Sequence, residues 1–174
     1  MKKIILITGG ERSGKSSYAE GLALSISTNP VYIATAHIWD EEFRQRVLLH
    51  QQRRGPQWTN IEEEINLDGC KIEGRCAVID CITLWLTNLI QPYLSSSGNF
   101  DVKAVLENAK LQFDTFTSQD ATFIFVTNEI GSGGVSPNPM QRRFTDLQGW
   151  MNQYIAGKAD EVYLMVSGIP VKIK

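Results

Sequence analysis

Short apolar runs and longer stretches with helical spacing alternate along the chain. A continuous apolar run is typical of a buried strand, and apolar residues at helical spacing are typical of a helix. The predicted strands are Lys2–Thr8, Val31–Ala34, Cys76–Asp80, Thr122–Thr127, Glu161–Ser167 and Val171–Lys174. The predicted helices are Ser16–Ser27, Asp40–Arg53, Ile82–Leu94, Asp101–Phe116 and Met140–Ile155. Gly168-Ile169-Pro170 predicts the turn of a hairpin between the last two strands.

Strands that alternate with helices predict an α/β fold: a mostly parallel sheet with helices on both faces and a C-terminal antiparallel hairpin. A chain of 174 residues has the length of one domain, so we expect residues 1–174 to form a single unit. Ligands of such sheets bind beyond the carboxyl ends of the strands. The candidate binding segments therefore directly follow strands: Gly9–Ser16, Thr35–Asp40, Asp80–Thr83 and Asn128–Pro137.

Charge and composition argue against several classes of function. The formal net charge is −2, without the basic excess of a nucleic-acid-binding protein, so we expect no nucleic-acid partner. No apolar stretch is long enough to span a bilayer, and the first apolar run is too short for a signal peptide, so we expect a cytoplasmic protein. Cys70, Cys76 and Cys81 form no C-x-x-C pair, and we expect small buried residues rather than metal ligands.

The segment after the first strand fits the P-loop pattern G-x-x-x-x-G-K-S in full, from Gly9 to Ser16. Its glycines let backbone N–H groups turn toward an anion, and the helix that follows adds the positive end of its dipole. We expect Lys15 to contact the β- and γ-phosphates and the Ser16 hydroxyl to bind Mg²⁺. The segment predicts a nucleotide ligand. Together with the mostly parallel sheet, it leads us to expect a P-loop NTPase fold, RecA-like in type.

In P-loop proteins a carboxylate at the end of a neighbouring strand orients Mg²⁺. Asp80 ends the strand Cys76–Asp80 and is our candidate; it could also cap the next helix, and the two roles are compatible. Glu129 is either a second carboxylate of this kind or a capping or packing residue. The chain has no Asn-Lys-x-Asp motif, which disfavours a Ras-like switch.

Arginines surround one of the two histidines of the chain. If Asp40–Arg53 is helical, Arg46 lies four residues before His50, and Arg53 and Arg54 follow three and four residues after it, so cations and imidazole share one helix face. Positive charge lowers the pKa of a histidine and keeps its imidazole neutral and nucleophilic, while arginines attract a triphosphate. Such a histidine could attack phosphorus and form a phosphoramidate. The alternative is a solvated basic face with an incidental histidine, and spacing by itself favours this alternative.

Motifs along the whole chain carry a family resemblance. They are G9-G-E-R-S-G-K-S16, Y32-I-A-T-A36, R46-x-x-x-H50-x-x-x-R54 with Trp58 and Glu62, D80-C-I-T-L-W-L-T-N88, V126-T-N-E-I-G131, A159-D-E-V162 and V166-S-G-I-P-V-K-I-K174. With these motifs the sequence resembles the bifunctional cobinamide kinase / cobinamide-phosphate guanylyltransferase family of cobalamin biosynthesis.

The resemblance implies an enzyme that phosphorylates the aminopropanol hydroxyl of adenosylcobinamide with ATP or GTP. It then takes GMP from GTP onto a histidine, releases pyrophosphate, and passes the GMP to adenosylcobinamide phosphate to give adenosylcobinamide-GDP. His50 matches the guanylylated histidine of the family. The resemblance therefore favours a nucleophilic histidine, whereas spacing by itself favours a solvated basic face. Mg²⁺ is the implied cofactor, and a homotrimer is the implied assembly.

The same match implies catalytic roles for His50 and Lys15, and Mg²⁺ ligation by Ser16 and Asp80. The implied nucleotide-binding residues are Gly9, Gly10, Glu11, Arg12, Ser13, Gly14, Lys15, Ser16, Ala34, Thr35, Ala36, Gln51, Gln52, Arg53, Arg54, Glu62 and Asp80. His50 lies on a segment separate from the P-loop, so we expect residues 37–56 to move or order on GTP binding.

A P-loop domain is also compatible with two other functions. One is a P-loop kinase for a small molecule that carries out no nucleotidyl transfer, and the other is a non-catalytic nucleotide-sensing protein. The density of the motif match argues against both.

Overall fold

The computed structural model describes residues 2–52, 54–96 and 98–174, and for residues 43, 46, 49 and 50 it describes the backbone alone. Within these ranges the chain forms seven strands and five α-helices. The strands are β1 (Lys3–Gly9), β2 (Val31–Ala34), β3 (Thr59–Glu62), β4 (Cys76–Asp80), β5 (Thr122–Val126), β6 (Glu161–Val166) and β7 (Ile169–Lys172). The helices are α1 (Lys15–Ile26), α2 (Glu41–Gln52), α3 (Ile82–Leu89), α4 (Val102–Phe116) and α5 (Pro139–Lys158).

The seven strands form one sheet in the order β3-β2-β4-β5-β1-β6-β7. Neighbouring strands are parallel from β3 to β6, and the β6–β7 pair is antiparallel. β5 lies between β1, which leads into the P-loop, and β4, which ends in Asp80. The predicted fold class, a RecA-like P-loop sheet with a C-terminal hairpin, is confirmed.

Alternate residues of the central strands face opposite layers of helices. On β1, Ile4 and Leu6 belong to the larger apolar core, which they share with buried side chains of α3, α4 and α5. Ile5 and Ile7 belong to the second core, together with Ala19 of α1. Helices therefore cover both faces of the sheet, as the near-continuous apolar runs of parallel strands require.

The structure contains one strand that the sequence does not predict, and one helix is shorter than predicted. β3 has a single apolar residue, Ile61, and pairs with β2 at the edge of the sheet, so it carries no apolar run that could be recognised. The predicted helix Ile82–Leu94 ends as α3 at Leu89, and Gln91–Tyr93 forms a separate 3₁₀ turn. Pro92 in this turn has no N–H to continue the α-helical hydrogen bonds.

The turn of the C-terminal hairpin lies one residue earlier than predicted. Ser167 and Gly168 have φ angles of 52° and 84°, which is typical of a two-residue turn between antiparallel strands. β7 therefore begins at Ile169 and includes Pro170, which is tolerated because β7 is an edge strand.

The structure also bears on membrane-spanning helices and on the cysteines. None of the helices in the described ranges combines the length and the apolar character needed to cross a bilayer. The three cysteines are buried and free, as expected. Burial raises the pKa of the Cys70 and Cys76 thiols to about 11 and that of Cys81 to about 12.

Glu161, the first residue of β6, links three strands at one side of the sheet. Its Oε1 lies 2.6 Å from Nζ of Lys3 on β1, and its Oε2 accepts a 2.6 Å hydrogen bond from the Tyr163 hydroxyl. Nζ of Lys172, on β7, is 3.4 Å from Oε2. The hydrogen bond from Lys3 is the largest cause that lowers the pKa of Glu161 to about 2, and that from Tyr163 is the next.

We expect the Glu161 contacts to make folding stability depend on pH in acid. A carboxyl group with a lower pKa in the folded chain stabilises the fold above its unfolded-state pKa, and this contribution is lost as pH falls through the folded-state value. It is therefore complete above about pH 4.5 and disappears toward about pH 2. Denaturant unfolding of the wild type and of Glu161→Gln should give a free-energy difference that shrinks over this range.

Glu107→Gln is a matched control, because Glu107 is an exposed carboxylate whose cationic partner, Lys110, lies on the same helix. The free energy of unfolding of this variant should differ little from that of the wild type at every pH. The role given to Glu161 would be contradicted if the free energies of unfolding of the wild type and Glu161→Gln differed by a constant amount from neutral pH into strong acid.

Candidate nucleotide-binding site

The four binding segments predicted from the sequence lie at one edge of the sheet, because β2, β4, β5 and β1 are parallel neighbours. Backbone hydrogen bonds join neighbouring segments. The N–H of Thr35 donates to the carbonyl oxygen of Asp80 at 3.1 Å. The N–H of Glu129 donates to the carbonyl oxygen of Gly9 at 3.0 Å. These hydrogen bonds connect the predicted segments at the carboxyl end of the sheet.

The P-loop turns tightly between β1 and α1 at two glycines. Gly9 and Gly14 have φ angles of 150° and 92°, a conformation that side chains rarely adopt. A Cβ on Gly9 would lie 2.7 Å from the carbonyl oxygen of Met165, and one on Gly14 would lie 3.2 Å from Cα of Gly168. Both conformation and space therefore require glycine at these positions.

The β6–β7 hairpin supports the P-loop from the side. The N–H of Gly168, in the hairpin turn, donates to the carbonyl oxygen of Ser13 at 2.9 Å. This turn belongs to the C-terminal motif V166-S-G-I-P, from which the sequence predicts a hairpin turn but no contact with the P-loop. The Ser-Gly pair signals a tight turn, but its contact with the P-loop depends on the pairing of β6 with β1 and is not visible in local sequence.

Lys15 begins α1 and is 7% exposed. Its Nζ donates a 2.5 Å hydrogen bond to the carbonyl oxygen of Gly10 and lies 3.4 Å from the Ser13 hydroxyl. Burial lowers the pKa of Lys15, and the nearby Cys81, Asp80 and Glu11 act in the opposite direction. The ammonium group is thus enclosed by the loop, where a phosphate could replace the Gly10 carbonyl as its partner.

Asp80 and Ser16 supply the oxygen atoms expected to bind Mg²⁺. Both residues are half-buried, with Asp80 at the end of β4 and Ser16 in the first turn of α1. The charge of Asp80 acts on the pKa of Lys15, so the carboxylate lies near the P-loop. Within the described residues no three His, Cys, Asp or Glu side chains form a metal cluster. Two hard oxygen donors fit a cation that takes its other ligands from phosphates and water.

Asp80 does not cap α3. The N-cap position of α3 is Cys81, and the Asp80 carboxylate points elsewhere: its Oδ2 accepts a 2.7 Å hydrogen bond from the Tyr32 hydroxyl. The alternative role of Asp80 as a helix cap is therefore wrong.

Thr35 joins the end of β2 to the start of α3. It is fully buried, and its Oγ1 donates to the carbonyl oxygen of Cys81 at 2.7 Å and accepts from the N–H of Cys81 at 2.8 Å. Nδ2 of Asn88 donates to the carbonyl oxygens of Thr35 (2.8 Å) and Glu64 (3.0 Å). The Thr35 hydroxyl therefore makes its hydrogen bonds within the protein. Ala34 and Ala36, on either side of it, are half-buried.

Two more residues of the motif D80-C-I-T-L-W-L-T-N88 hold loops in place. The Thr83 hydroxyl accepts a 3.1 Å hydrogen bond from the N–H of Asn128, and Nε1 of Trp85 donates to the carbonyl oxygen of Ile65 at 2.9 Å. These contacts attach the loops after β5 and β3 to α3. The motif therefore contains several residues that brace the candidate binding site.

Glu129, whose role the sequence left open, folds back onto its own loop. Its Oε1 accepts a 3.0 Å hydrogen bond from the N–H of Gly131, and the residue is exposed. This is a hydrogen bond within the loop, and it leaves the role of Glu129 at the site a prediction.

The segment with the candidate nucleophile is partly outside the described residues. His50 lies in α2 and only its backbone is described, as for Arg46, and Arg53 is not described at all. Gln51 and Glu62 are brought together by a 3.3 Å hydrogen bond from Nε2 of Gln51 to Oε1 of Glu62. The structure therefore gives the position of the helix but not that of the imidazole.

Arg54 lies inside the protein and not on a solvated basic face. Its side chain is 2% exposed, and its guanidinium carbon is 3.6 Å from the centre of the Tyr32 ring. Its Nε donates to Oδ1 of Asn60 at 2.8 Å, and Nη1 is 3.9 Å from a carboxylate oxygen of Glu20. The sequence predicts that Arg54 attracts a triphosphate. In the structure its guanidinium group is buried and stacked on the Tyr32 ring.

Comparisons with known proteins agree with the motifs. A family model described as "Cobinamide kinase / cobinamide phosphate guanyltransferase" matches residues 5–173. The bifunctional adenosylcobalamin biosynthesis protein CobU of Escherichia coli K12 is 38% identical, over 98% of this chain and 99% of that protein. CobP of Pseudomonas aeruginosa, with the same description, is 36% identical over 97% of this chain and 96% of its own length.

A third relative is CobU of Salmonella typhimurium LT2, which is 38% identical over 98% of this chain and 99% of its own length. Among solved structures, a KaiC-like protein of Pyrococcus horikoshii OT3 is a remote likeness, with 14% identity and a TM-score of 0.47 over 93% of this chain and 71% of that one. The match of the family model over nearly the whole chain, together with the three relatives, shows that the protein belongs to the cobinamide kinase / cobinamide phosphate guanyltransferase family.

Proposed function

We propose that this protein is a cytoplasmic transferase of cobalamin biosynthesis whose single nucleotide-binding domain catalyses two consecutive reactions. In the first, the aminopropanol hydroxyl of adenosylcobinamide attacks the γ-phosphorus of ATP or GTP, which releases a nucleoside diphosphate and a proton. In the second, GMP passes from GTP through His50 to adenosylcobinamide phosphate and gives adenosylcobinamide-GDP. The observation that carries the proposal is the family match over residues 5–173.

The P-loop residues Gly9, Gly10, Glu11, Arg12, Ser13, Gly14, Lys15 and Ser16 would hold the phosphates of the nucleotide in both reactions. Lys15 is already buried inside the loop with its ammonium on a carbonyl oxygen, so a phosphate would meet a charge that is held in place. Ser16 and Asp80 would hold Mg²⁺, which when bound would offset the charge on the departing phosphates.

In the second reaction a ring nitrogen of His50 would attack the α-phosphorus of GTP. The bond to the β-phosphate oxygen breaks, and pyrophosphate leaves. A phosphate oxygen of adenosylcobinamide phosphate then attacks the same phosphorus, the P–N bond breaks, and the histidine is restored. A histidine nucleophile divides one displacement into two easier ones and makes this half-reaction ping-pong.

For this chemistry α2 has to bring His50 to the α-phosphate. Exposed side chains along α2, among them Glu41, Arg44 and Leu48, are compatible with a helix that can be displaced. Its C-terminal end is attached, through Gln51 to Glu62 and through the buried Arg54. Because His50 lies at this attached end, we infer that α2 and its C-terminal turn move together when GTP binds.

The remaining nucleotide-binding residues fall into two groups in this proposal. Ala34, Ala36, Gln51, Gln52, Arg53 and Glu62 would line the nucleotide. Thr35 and Arg54 would act through the residues they hold, because the Thr35 hydroxyl is engaged by Cys81 and the Arg54 guanidinium is stacked on Tyr32.

A homotrimer is the assembly that the resemblance implies. Edge strand β7 presents apolar side chains that self-association could cover: Ile169 is 65% exposed, Val171 45% and Ile173, just beyond its end, 60%. An exposed apolar edge strand tends to pair with another chain. We infer that the β7 edge contributes to the contact between subunits.

The transferase step predicts a covalent GMP on the protein. After incubation with Mg²⁺ and GTP labelled at the α-phosphate, the denatured wild-type chain should carry label that is acid-labile and base-stable. His50→Ala should carry none, because the nucleophile is gone. His37→Ala is the matched control and should retain the label, since His37 is the other histidine and its Nδ1 is paired with Glu64 at 2.8 Å.

A wild-type chain that takes up no label while it still consumes ATP with cobinamide would leave a small-molecule kinase and refute the transferase half of the proposal. A chain that hydrolyses nucleotide slowly and phosphorylates nothing would favour the nucleotide-sensing alternative.

The movement of α2 predicts that GTP alters protease access. Limited trypsin digestion should cut after Arg44 and Arg46 severalfold more slowly when GTP and Mg²⁺ are present, because the helix docks on the nucleotide. Cleavage after Lys103 and Lys110 of α4 serves as the internal control and should not change. Equal rates in α2 with and without GTP would contradict the movement.

The proposed assembly predicts that the wild-type chain sediments as a trimer at micromolar concentration. Ile169→Glu should shift it to smaller species, because it places a charge on the β7 edge. Leu111→Glu is the control, since Leu111 of α4 is 68% exposed and lies outside the proposed contact. A monomeric wild type, or equal effects of both variants, would contradict the proposed contact.

A further inference from the structure

Tyr32 connects two parts of the site that the sequence treats as separate. It lies on β2 and is 4% exposed, and its hydroxyl donates a 2.7 Å hydrogen bond to Oδ2 of Asp80 on the neighbouring strand. A phenol is an O–H donor at physiological pH, so the Tyr32 hydroxyl is the donor in this hydrogen bond.

The Tyr32 ring is held by two residues of the connection between α2 and β3. The Arg54 guanidinium lies over the ring at 3.6 Å, and the Trp58 ring meets it edge-on with the centres 6.0 Å apart. A buried guanidinium is stable where it is paired or hydrogen-bonded. Arg54 has Asn60 of β3 and, at 3.9 Å, Glu20 of α1 as partners. The ring can therefore hardly turn without disturbing this cluster.

Arg54 also belongs to the end of α2. Its N–H donates to the carbonyl oxygen of Gln51 at 3.1 Å, so its backbone continues the last turn of the helix. The contacts thus run without a gap from the end of α2 to Arg54, to the Tyr32 ring and to the Asp80 carboxylate.

We infer that Tyr32 is a positioning residue: its hydroxyl holds the Asp80 carboxylate in the orientation that binds the nucleotide-bound Mg²⁺, and Arg54 links this orientation to the docking of the end of α2. The inference rests on the proposed function, since it takes Asp80 as a metal ligand. A carboxylate fixed by one oxygen presents the other in a defined direction, which favours a cation with strict octahedral geometry.

The test measures how much a divalent cation strengthens nucleotide binding. The probe is α,β-methylene-GTP, which cannot transfer GMP to His50. Its dissociation constant is measured by calorimetry with Mn²⁺ and again with EDTA, and the ratio gives the metal-dependent gain. Tyr32→Phe keeps the ring and removes the hydrogen bond, so the gain should fall by about three- to tenfold. The dissociation constant in EDTA should not change.

Tyr154→Phe is the matched control. The Tyr154 hydroxyl also donates to an aspartate, Oδ2 of Asp114 at 2.6 Å, and the Lys158 ammonium lies 4.5 Å from the centre of its ring. This pair lies between α4 and α5, away from the carboxyl edge of the sheet. Tyr154→Phe should lose a similar amount of thermal stability and keep the full metal-dependent gain.

A second variant separates the ring contact from the hydrogen bond. Arg54→Lys keeps the charge near Glu20 but loses the flat group that stacks on Tyr32. It should reduce the gain in the wild-type background and have no further effect in Tyr32→Phe, because both changes act through the same carboxylate. Arg54→Lys also tests the inference if Tyr32→Phe does not fold.

The inference is overturned if Tyr32→Phe keeps the wild-type gain or exceeds it, if Tyr154→Phe loses as much, or if Tyr32→Phe weakens binding equally in EDTA. Additive effects of Arg54→Lys and Tyr32→Phe would overturn the link to α2. Failure of the proposed function would be visible in the wild type itself, as an absence of covalent label from GTP, and this outcome is independent of the metal-dependent gain measured with α,β-methylene-GTP.

Discussion

Parallel pairing around β1 determines where the functional groups of this protein lie. Strands that run in one direction end at one edge, so the P-loop meets the segments after β2, β4 and β5 although they are far apart in sequence. The same pairing places the turn after β6 against the P-loop and Tyr32 of β2 within reach of Asp80. The composition of the site thus follows from strand order and register.

Features encoded by neighbouring residues were predictable. The P-loop and most strands follow from local patterns, and α4 begins close to its predicted start, where the Asp101 carboxylate accepts from the N–H groups of Lys103 and Ala104. β3 was not predictable, because an edge strand needs no apolar run. Nor was the burial of Arg54, which depends on Tyr32, Asn60 and Glu20 from three other elements. Sequence spacing shows a cation on a helix face but not what covers it.

Recognition motifs in this chain contain two kinds of residue, which the sequence does not separate. Some, such as Lys15, have their charged group inside the candidate phosphate site. Others brace it: Thr35 joins β2 to α3, and Asn88 holds the carbonyl groups of Thr35 and Glu64. A bracing residue can be as tightly specified as a ligand-binding one, because a loop with buried backbone groups needs a partner for each of them.

The antiparallel course of β7 has a practical consequence for handling the protein. β1 starts at the end of the sheet opposite the P-loop. The chain returns to that end after β7, where the backbones of Lys174 and of Val162, near the start of β6, are hydrogen-bonded. Lys3 and Lys174 therefore lie on the same side of the sheet, away from the nucleotide. A surface linker or fluorescent label attached near either residue would leave the phosphate-binding edge facing solution.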